Sequence, residues 1–162
     1  MRRYFLISIM ILLSIQCIGQ EVLQNIRGRN VLNLNGNWSY LVDPYETGFY
    51  NYRRQPYEET ANPEAGFYSN QKQQSKEQRI EYEFSQYQTM EIPGDWNSQD
   101  ERFRFYEGSM WLQRDFKLIK NEDQRYFLYF GAVNYEAKVY VNGQKAGDHT
   151  GGFTAFNFEV TD

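Results

Sequence analysis

Asn134-Tyr135-Glu136-Ala137-Lys138-Val139-Tyr140-Val141-Asn142-Gly143-Gln144-Lys145-Ala146-Gly147-Asp148-His149-Thr150-Gly151-Gly152-Phe153-Thr154-Ala155-Phe156-Asn157-Phe158 is the stretch that decides the fold. Its first part alternates with period two. Tyr135, Ala137, Val139 and Val141 share one face, and Glu136, Lys138 and Tyr140 share the other, the pattern of a half-buried antiparallel strand. Asn142-Gly143 is a hairpin signal, because both central residues of a type I′ turn need positive φ. Gln144 to His149 returns as the partner strand, Gly151-Gly152 breaks it, and Phe156, Phe158 and Val160 alternate in a further extended run.

The same signals recur upstream. Val31 to Leu34 reads as a short strand, Asn35-Gly36 as a turn, and Asn37 to Val42 as a strand with Trp38, Tyr40 and Val42 on one side, ended by Asp43-Pro44. Arg79 to Phe84 alternates, with Ile80, Tyr82 and Phe84 inward. Thr89 to Ile92 is a short strand stopped by Pro93-Gly94. Met110, Leu112, Phe116 and Leu118 fall on one face with Arg114 among them. Arg125 to Val133 is apolar on both faces, as a central strand would be. Short strands at frequent intervals, with no helical period of useful length, predict an all-β jelly-roll sandwich. Asp162 follows a strand-like run without a domain-end signal, so the expectation is a sandwich incomplete at its C-terminal end.

The expected organisation is a signal peptide over residues 1–19, a polar lead-in over 20–30 and one sandwich domain over 31–162, with a long insertion over 45–76. Arg2-Arg3 precedes the almost wholly apolar Tyr4 to Ile18, and Gly19 supplies a small residue for cleavage. The expected location is therefore exported, periplasmic or extracellular, with no membrane attachment after cleavage. Removal of two arginines from seventeen basic residues shifts the net charge from −4 to −6. Cys17 is the only cysteine and lies in the signal, so the mature chain has no disulfide. Gln16 before it is a poor match to the small residue of a lipid-attachment signal. The insertion is rich in Tyr, Gln, Asn and Glu. It reads as a surface excursion that packs Phe49, Tyr50, Tyr57 and Phe67 on the sandwich, or as a Tyr-rich sugar surface.

Composition excludes several chemistries. An acidic chain without a basic stripe does not suit nucleic acid. His149 is the single histidine, so a Ser-His-Asp triad would have to use it, and it reads as a surface residue. There is no Cys/His cluster for zinc and no glycine loop leading into a helix for phosphate, so no metal or cofactor is expected. Glu81 with Glu83 and Glu58 with Glu59 lack the apolar setting that splits a catalytic carboxylate pair, and read as solvated acids.

Five segments carry a resemblance to glycoside hydrolase family 2. Leu34-Asn35-Gly36-Asn37-Trp38 resembles its opening motif, and Ile92-Pro93-Gly94-Asp95-Trp96-Asn97 its Val-Pro-x-x-Trp/Phe-Asn segment. Tyr106-Glu107-Gly108-Ser109-Met110-Trp111-Leu112-Gln113-Arg114-Asp115-Phe116 resembles its Tyr-x-Gly-x-x-Trp-Tyr-x-Arg-x-Phe strand. Phe130 to Gly143 resembles its Val-Asn-Gly hairpin, and Gly151 to Phe156 its Gly-Gly-Phe/Tyr-x-Pro-Phe, with Ala155 where proline is usual. The pattern looks closest to the β-glucuronidase branch, also shared by β-galactosidase-like members.

The resemblance implies an N-terminal sugar-binding domain of an exported retaining glycosidase acting on terminal β-glycosides. An immunoglobulin-like domain and a (β/α)₈ barrel would follow. A barrel takes about 250 residues, so no catalytic residue falls in this chain, which alone is expected to be inactive. Tyr106 and Glu107, in a loop comparable to one that reaches the active-site rim in some members, are the candidate substrate-binding residues. Carbohydrate is the expected partner, and homo-oligomerisation stays open. The rivals are a stand-alone carbohydrate-binding module and a scaffold domain. In plain structural terms, Trp38, Trp96 and Trp111 read as core and corner packers, and Arg114 is expected to pair with an acid.

Overall fold

The computed structural model describes residues 22–57, 65–72, 75, 77, 82–84 and 88–161. The expected signal peptide over residues 1–19, part of the expected insertion over 45–76 and Arg79 to Glu81 of the alternating run lie outside them. Tyr82 to Phe84 are described and belong to no strand.

Among the described residues, seven strands form an all-β sandwich with three small antiparallel sheets. β1 (Gly36–Asp43) lies between β2 (Thr89–Ile92) and β3 (Ser109–Gln113). β4 (Phe127–Phe130) pairs with β7 (Phe156–Glu159), and β5 (Glu136–Val141) with β6 (Gln144–Thr150). Among the described residues the helical content is slight: α1 (Trp96–Gln99) is one turn, and short 3₁₀ turns cover Ile26–Gly28, Phe67–Ser69 and Glu101–Phe103.

Local chemistry accounts for most of these elements. The β5–β6 turn is as expected: Asn142 has φ 51° and Gly143 φ 81°, and Val141 faces Gln144. The pairing slips between Val139 and Tyr140, which face Gly147 and Lys145. Ala146 is the extra residue, so the hairpin carries a bulge. A Cβ at Gly147 would lie 2.3 Å from the Phe158 ring, so only glycine lets β7 press this closely on β6. Asp95 caps α1, its carboxylate accepting from the Ser98 amide at 2.9 Å and the Ser98 hydroxyl at 2.7 Å. These bonds hold its carboxyl below the usual range.

Pleating divides the work of the three-stranded sheet. One face carries Tyr40, Met90, Met110 and Leu112, closed over by Phe103, Trp96 and Tyr106 from the β2–β3 connection. The other face carries Trp111 and Asp43 toward the insertion and the β5–β6 hairpin. A second apolar centre surrounds Phe156, which is 1% exposed. Its ring stacks on Phe130 at 4.8 Å and on His149 at 4.0 Å, with Phe158 edge-on. His149 also bonds the Thr154 hydroxyl at 3.1 Å, so it is a half-buried packing residue rather than a free surface one.

Four expectations change. Val31 to Leu34 forms no strand, and Val31 and Leu32 are exposed. β3 ends at Gln113, leaving Phe116 and Leu118 outside the sheet. β4 pairs with β7 alone among the described residues, and Tyr129 on it is exposed. Arg114 pairs with no acid among the described residues: it donates to the carbonyls of Asn35 at 3.1 Å and Asn37 at 3.2 Å.

The open end of the β4–β7 pair is tied by charge. Arg125 makes a two-pronged contact with Glu159 (2.9 and 2.7 Å), and Thr161 donates to the same carboxylate at 2.8 Å. These partners lower the Glu159 carboxyl to about 2. The stabilisation is complete above the ordinary glutamate range and is lost as pH falls toward that value. We expect an NMR titration of the Glu159 carboxyl carbon to give a midpoint near 2, and Arg125→Gln to return it toward about 4.3.

Candidate carbohydrate-binding surface

The insertion is fastened by one buried carboxylate. Asp43, at the end of β1, is 2% exposed. Oδ1 accepts from the Thr47 amide at 2.8 Å and the Thr47 hydroxyl at 3.1 Å. Oδ2 accepts from the Gly48 amide at 2.8 Å and the Trp111 indole at 3.0 Å. Four donors thus converge on a group that would be costly to bury unpaired. A Cβ on Gly48 would lie 2.5 Å from the Phe67 ring and 2.7 Å from Trp111 Nε1, so the chain closes here only through glycine.

An aromatic array grows from this anchor. Trp111 meets Phe67 at 5.8 Å, Tyr68 at 6.4 Å and Tyr140 at 5.9 Å. Tyr68 stacks on Tyr140 at 4.5 Å, and Phe67 lies tilted by 36° against Tyr82 at 3.9 Å. The Lys138 and Lys145 ammoniums lie 5.0 and 5.7 Å from the buried Phe49 ring. Lys138 and Tyr140 on the polar face of β5 therefore lie against the aromatic array rather than facing water, while Glu136 on the same face stays exposed. Phe49 and Phe67 are packing residues, in agreement with the surface-excursion reading.

All three tryptophans spend their indole N–H groups within the protein. Trp38 donates to the Leu34 carbonyl at 2.8 Å, Trp96 to the Tyr106 carbonyl at 3.3 Å, and Trp111 to Asp43. That is the behaviour of core and corner packers.

The Tyr106-Glu107-Gly108 loop is rigid at one residue and open at the next. The Tyr106 phenol donates to the Ser109 carbonyl at 2.7 Å. Its own carbonyl also accepts from Asn97 Nδ2 at 3.1 Å. Burial, and then the Asp43 charge, push the phenol above its ordinary value, so it stays a donor. Glu107 is exposed. Ser109 reaches Glu46 at 3.3 Å, which ties this loop to the insertion. Among the described residues no group of His, Cys, Asp and Glu is arranged to hold a metal ion. Sequence reasoning singled out Tyr106 and Glu107 as candidates and passed over Asp43, reading Asp43-Pro44 only as a strand stop. The local part of its role lay in Asp43-Pro44 and Gly48, turn-forming residues close enough for the carboxylate to take the Thr47 and Gly48 amides.

This framework has clear counterparts. Residues 31–162 match the family described as "Glycosyl hydrolases family 2, sugar binding domain". The chain belongs to that family. A β-galactosidase of Thermoanaerobacter pseudethanolicus is 28% identical over 146 residues, covering 83% of this chain and 15% of the relative. A β-glucuronidase of Streptococcus agalactiae is 41% identical over 58 residues, covering 35% and 10%. A solved β-glucuronidase from an uncultured Clostridium sp. superposes with a TM-score of 0.56 at 28% identity, covering 89% of this chain and 21% of the other. The family 2 chain described here thus spans between about a tenth and a fifth of the length of these relatives.

Proposed function

We propose that this family 2 domain is the N-terminal, carbohydrate-facing part of an exported retaining glycosidase acting on terminal β-glucuronides or β-galactosides. The observation that carries the reading is the match over residues 31–162, together with the small share of each relative that the chain spans. Hydrolysis with retention needs two carboxyl groups about 5–5.5 Å apart. Among the described residues, three of the domain's acids are committed to structure: Asp43 fastens the insertion, Glu46 pairs with Arg54, and Glu159 with Arg125. We assign the chemistry to a barrel domain beyond residue 162, on the small share of the full-length relatives that this chain spans. Export is supported by the Arg2-Arg3 and Tyr4–Ile18 pattern, giving a periplasmic or extracellular site of action. The Tyr106–Gly108 loop is the part we assign to the substrate rim: Tyr106 fixes its geometry, and Glu107 presents the exposed polar group.

The test compares two polypeptides on aryl β-glucuronide and β-galactoside substrates. The 162-residue chain should release no phenol. The chain extended through the following reading frame should hydrolyse at least one substrate and yield the β-anomer first. Release of phenol by the shorter chain would refute the assignment, as would an extended frame with neither activity. A binding-module reading is favoured by one observation, the exposure of Tyr45 and Tyr52 on the insertion.

A further inference from the structure

The insertion ends in a tip whose construction exceeds what packing requires. Asn51 organises it. The Asn51 amide donates to the Gln55 carbonyl at 2.9 Å, and the Arg54 amide donates back to the Asn51 carbonyl at 2.9 Å. The Asn51 side-chain oxygen accepts from the Arg53 amide at 2.9 Å and the Gln55 amide at 3.1 Å. Tyr50 bridges Pro56, and the Tyr57 amide reaches the Phe49 carbonyl at 2.9 Å, closing the neck. Arg54 turns back into this frame. It bonds the Tyr45 carbonyl and Glu46 at 2.9 Å each, and lies 4.7 Å over the Tyr50 ring.

Tyr52 and Arg53 are the residues this frame holds outward. Tyr52 is 87% exposed. The Arg53 guanidinium lies 5.2 Å from the Tyr52 ring centre. Its fork makes no hydrogen bond or ion pair among the described residues, in contrast to Arg54, the next residue in the same turn. An exposed tyrosine on a fixed turn offers a flat amphipathic face with little ordering cost on binding. An unspent guanidinium beside it offers two parallel N–H groups that match a carboxylate. The surrounding chain is acidic, so a cationic fork here does not serve general surface charge.

We propose that Tyr52 and Arg53 form an accessory subsite for a uronate-bearing saccharide. The tyrosine ring would take the apolar face of a pyranose, and Arg53 would pair with the carboxylate. This deepens the carbohydrate reading above and rests on it. The site adds affinity for acidic glycans and takes no part in bond cleavage.

Calorimetric titration of the 162-residue chain tests it, with glucuronosyl-β-1,4-glucose and cellobiose as paired probes. The parent should bind the acidic disaccharide more tightly than the neutral one, with affinity falling as salt rises. Arg53→Gln should weaken acidic-disaccharide binding about tenfold and leave cellobiose unchanged, since one charge-assisted contact is lost. Tyr52→Ala should weaken both. Both side chains are exposed, so circular dichroism and thermal midpoints should match the parent. Acidic binding that survives both substitutions overturns the subsite while leaving the carbohydrate reading intact. Absence of any acidic binding by the parent also overturns it, and the hydrolysis comparison then decides the broader reading independently.

Discussion

Asp43→Ala should cost about 3–5 kcal/mol of folding stability, a large part of what a domain of this size possesses. The reason lies in what the substitution leaves behind. The Thr47 and Gly48 amides, the Thr47 hydroxyl and the Trp111 indole all point at the carboxylate. Each was desolvated on the expectation of an anion, and the enclosed space offers them no replacement acceptor. Asp43→Asn tests the argument more sharply because volume is unchanged. Turned one way, its NH₂ faces the Gly48 and Trp111 N–H groups; turned the other, it faces the Thr47 amide with only the Thr47 hydroxyl able to accept, so we expect about 2–4 kcal/mol here too. Equilibrium urea denaturation measures both. A change below about 1 kcal/mol in either variant would show that these bonds are not what holds the insertion.

The loss should also be local. Asp43 is the link between β1, the start of the insertion and β3. Its removal should therefore free the 45–57 segment before the sheets melt. Limited trypsinolysis at Arg53 or Arg54 should accelerate, and the Trp111 indole proton should move in the NMR spectrum. If cleavage accelerates only in step with global unfolding, the carboxylate is a general core element rather than a latch for the insertion.

How much of this was legible beforehand depends on the distance over which each feature is determined. The β5–β6 hairpin was readable because alternation and Asn142-Gly143 are set by neighbouring φ/ψ preferences. β1 and β2 were readable for the same reason. Asp43 was not, because its decisive partner, Trp111, lies 68 residues away and is brought up only when β3 joins β1. Arg114 shows a different failure. The rule that a guanidinium among apolar residues seeks an acid overlooks backbone carbonyls as acceptors. Gly36 makes the approach feasible: a Cβ there would sit 3.2 Å from Arg114 Nη1. β4 reads as central because Phe127-Leu128-Tyr129-Phe130 is apolar throughout. A hydrophobic run records affinity for burial, not the number of hydrogen-bonded neighbours. The Tyr106 loop was locatable from motif order, but the division of labour between a locked Tyr106 and an exposed Glu107 appears only in their contacts.

The Gly-Gly-Phe motif carries the other large effect, and it separates two phenylalanines that the sequence presents as equivalents. Phe156 is 1% exposed and is enclosed by Phe130 from β4, His149 from β6 and Phe158 from its own strand. Phe156→Ala removes the ring at the meeting point of all three strands. The close fit of Phe158 against Gly147 limits how far the walls can collapse into the space, so the cavity penalty adds to the transfer term. We expect a loss of about 3–5 kcal/mol and a thermal midpoint lower by about 10 °C or more. Phe153, three residues earlier, is 94% exposed. Phe153→Ala should stay within about 0.5 kcal/mol of the parent. Measured together by thermal denaturation, the pair isolates packing from motif membership. Equal losses would mean that Phe153 is buried in the folded protein, contrary to its place at the sandwich end, while a mild Phe156→Ala would mean that the β4–β7 and β5–β6 pairs are joined by something other than this ring.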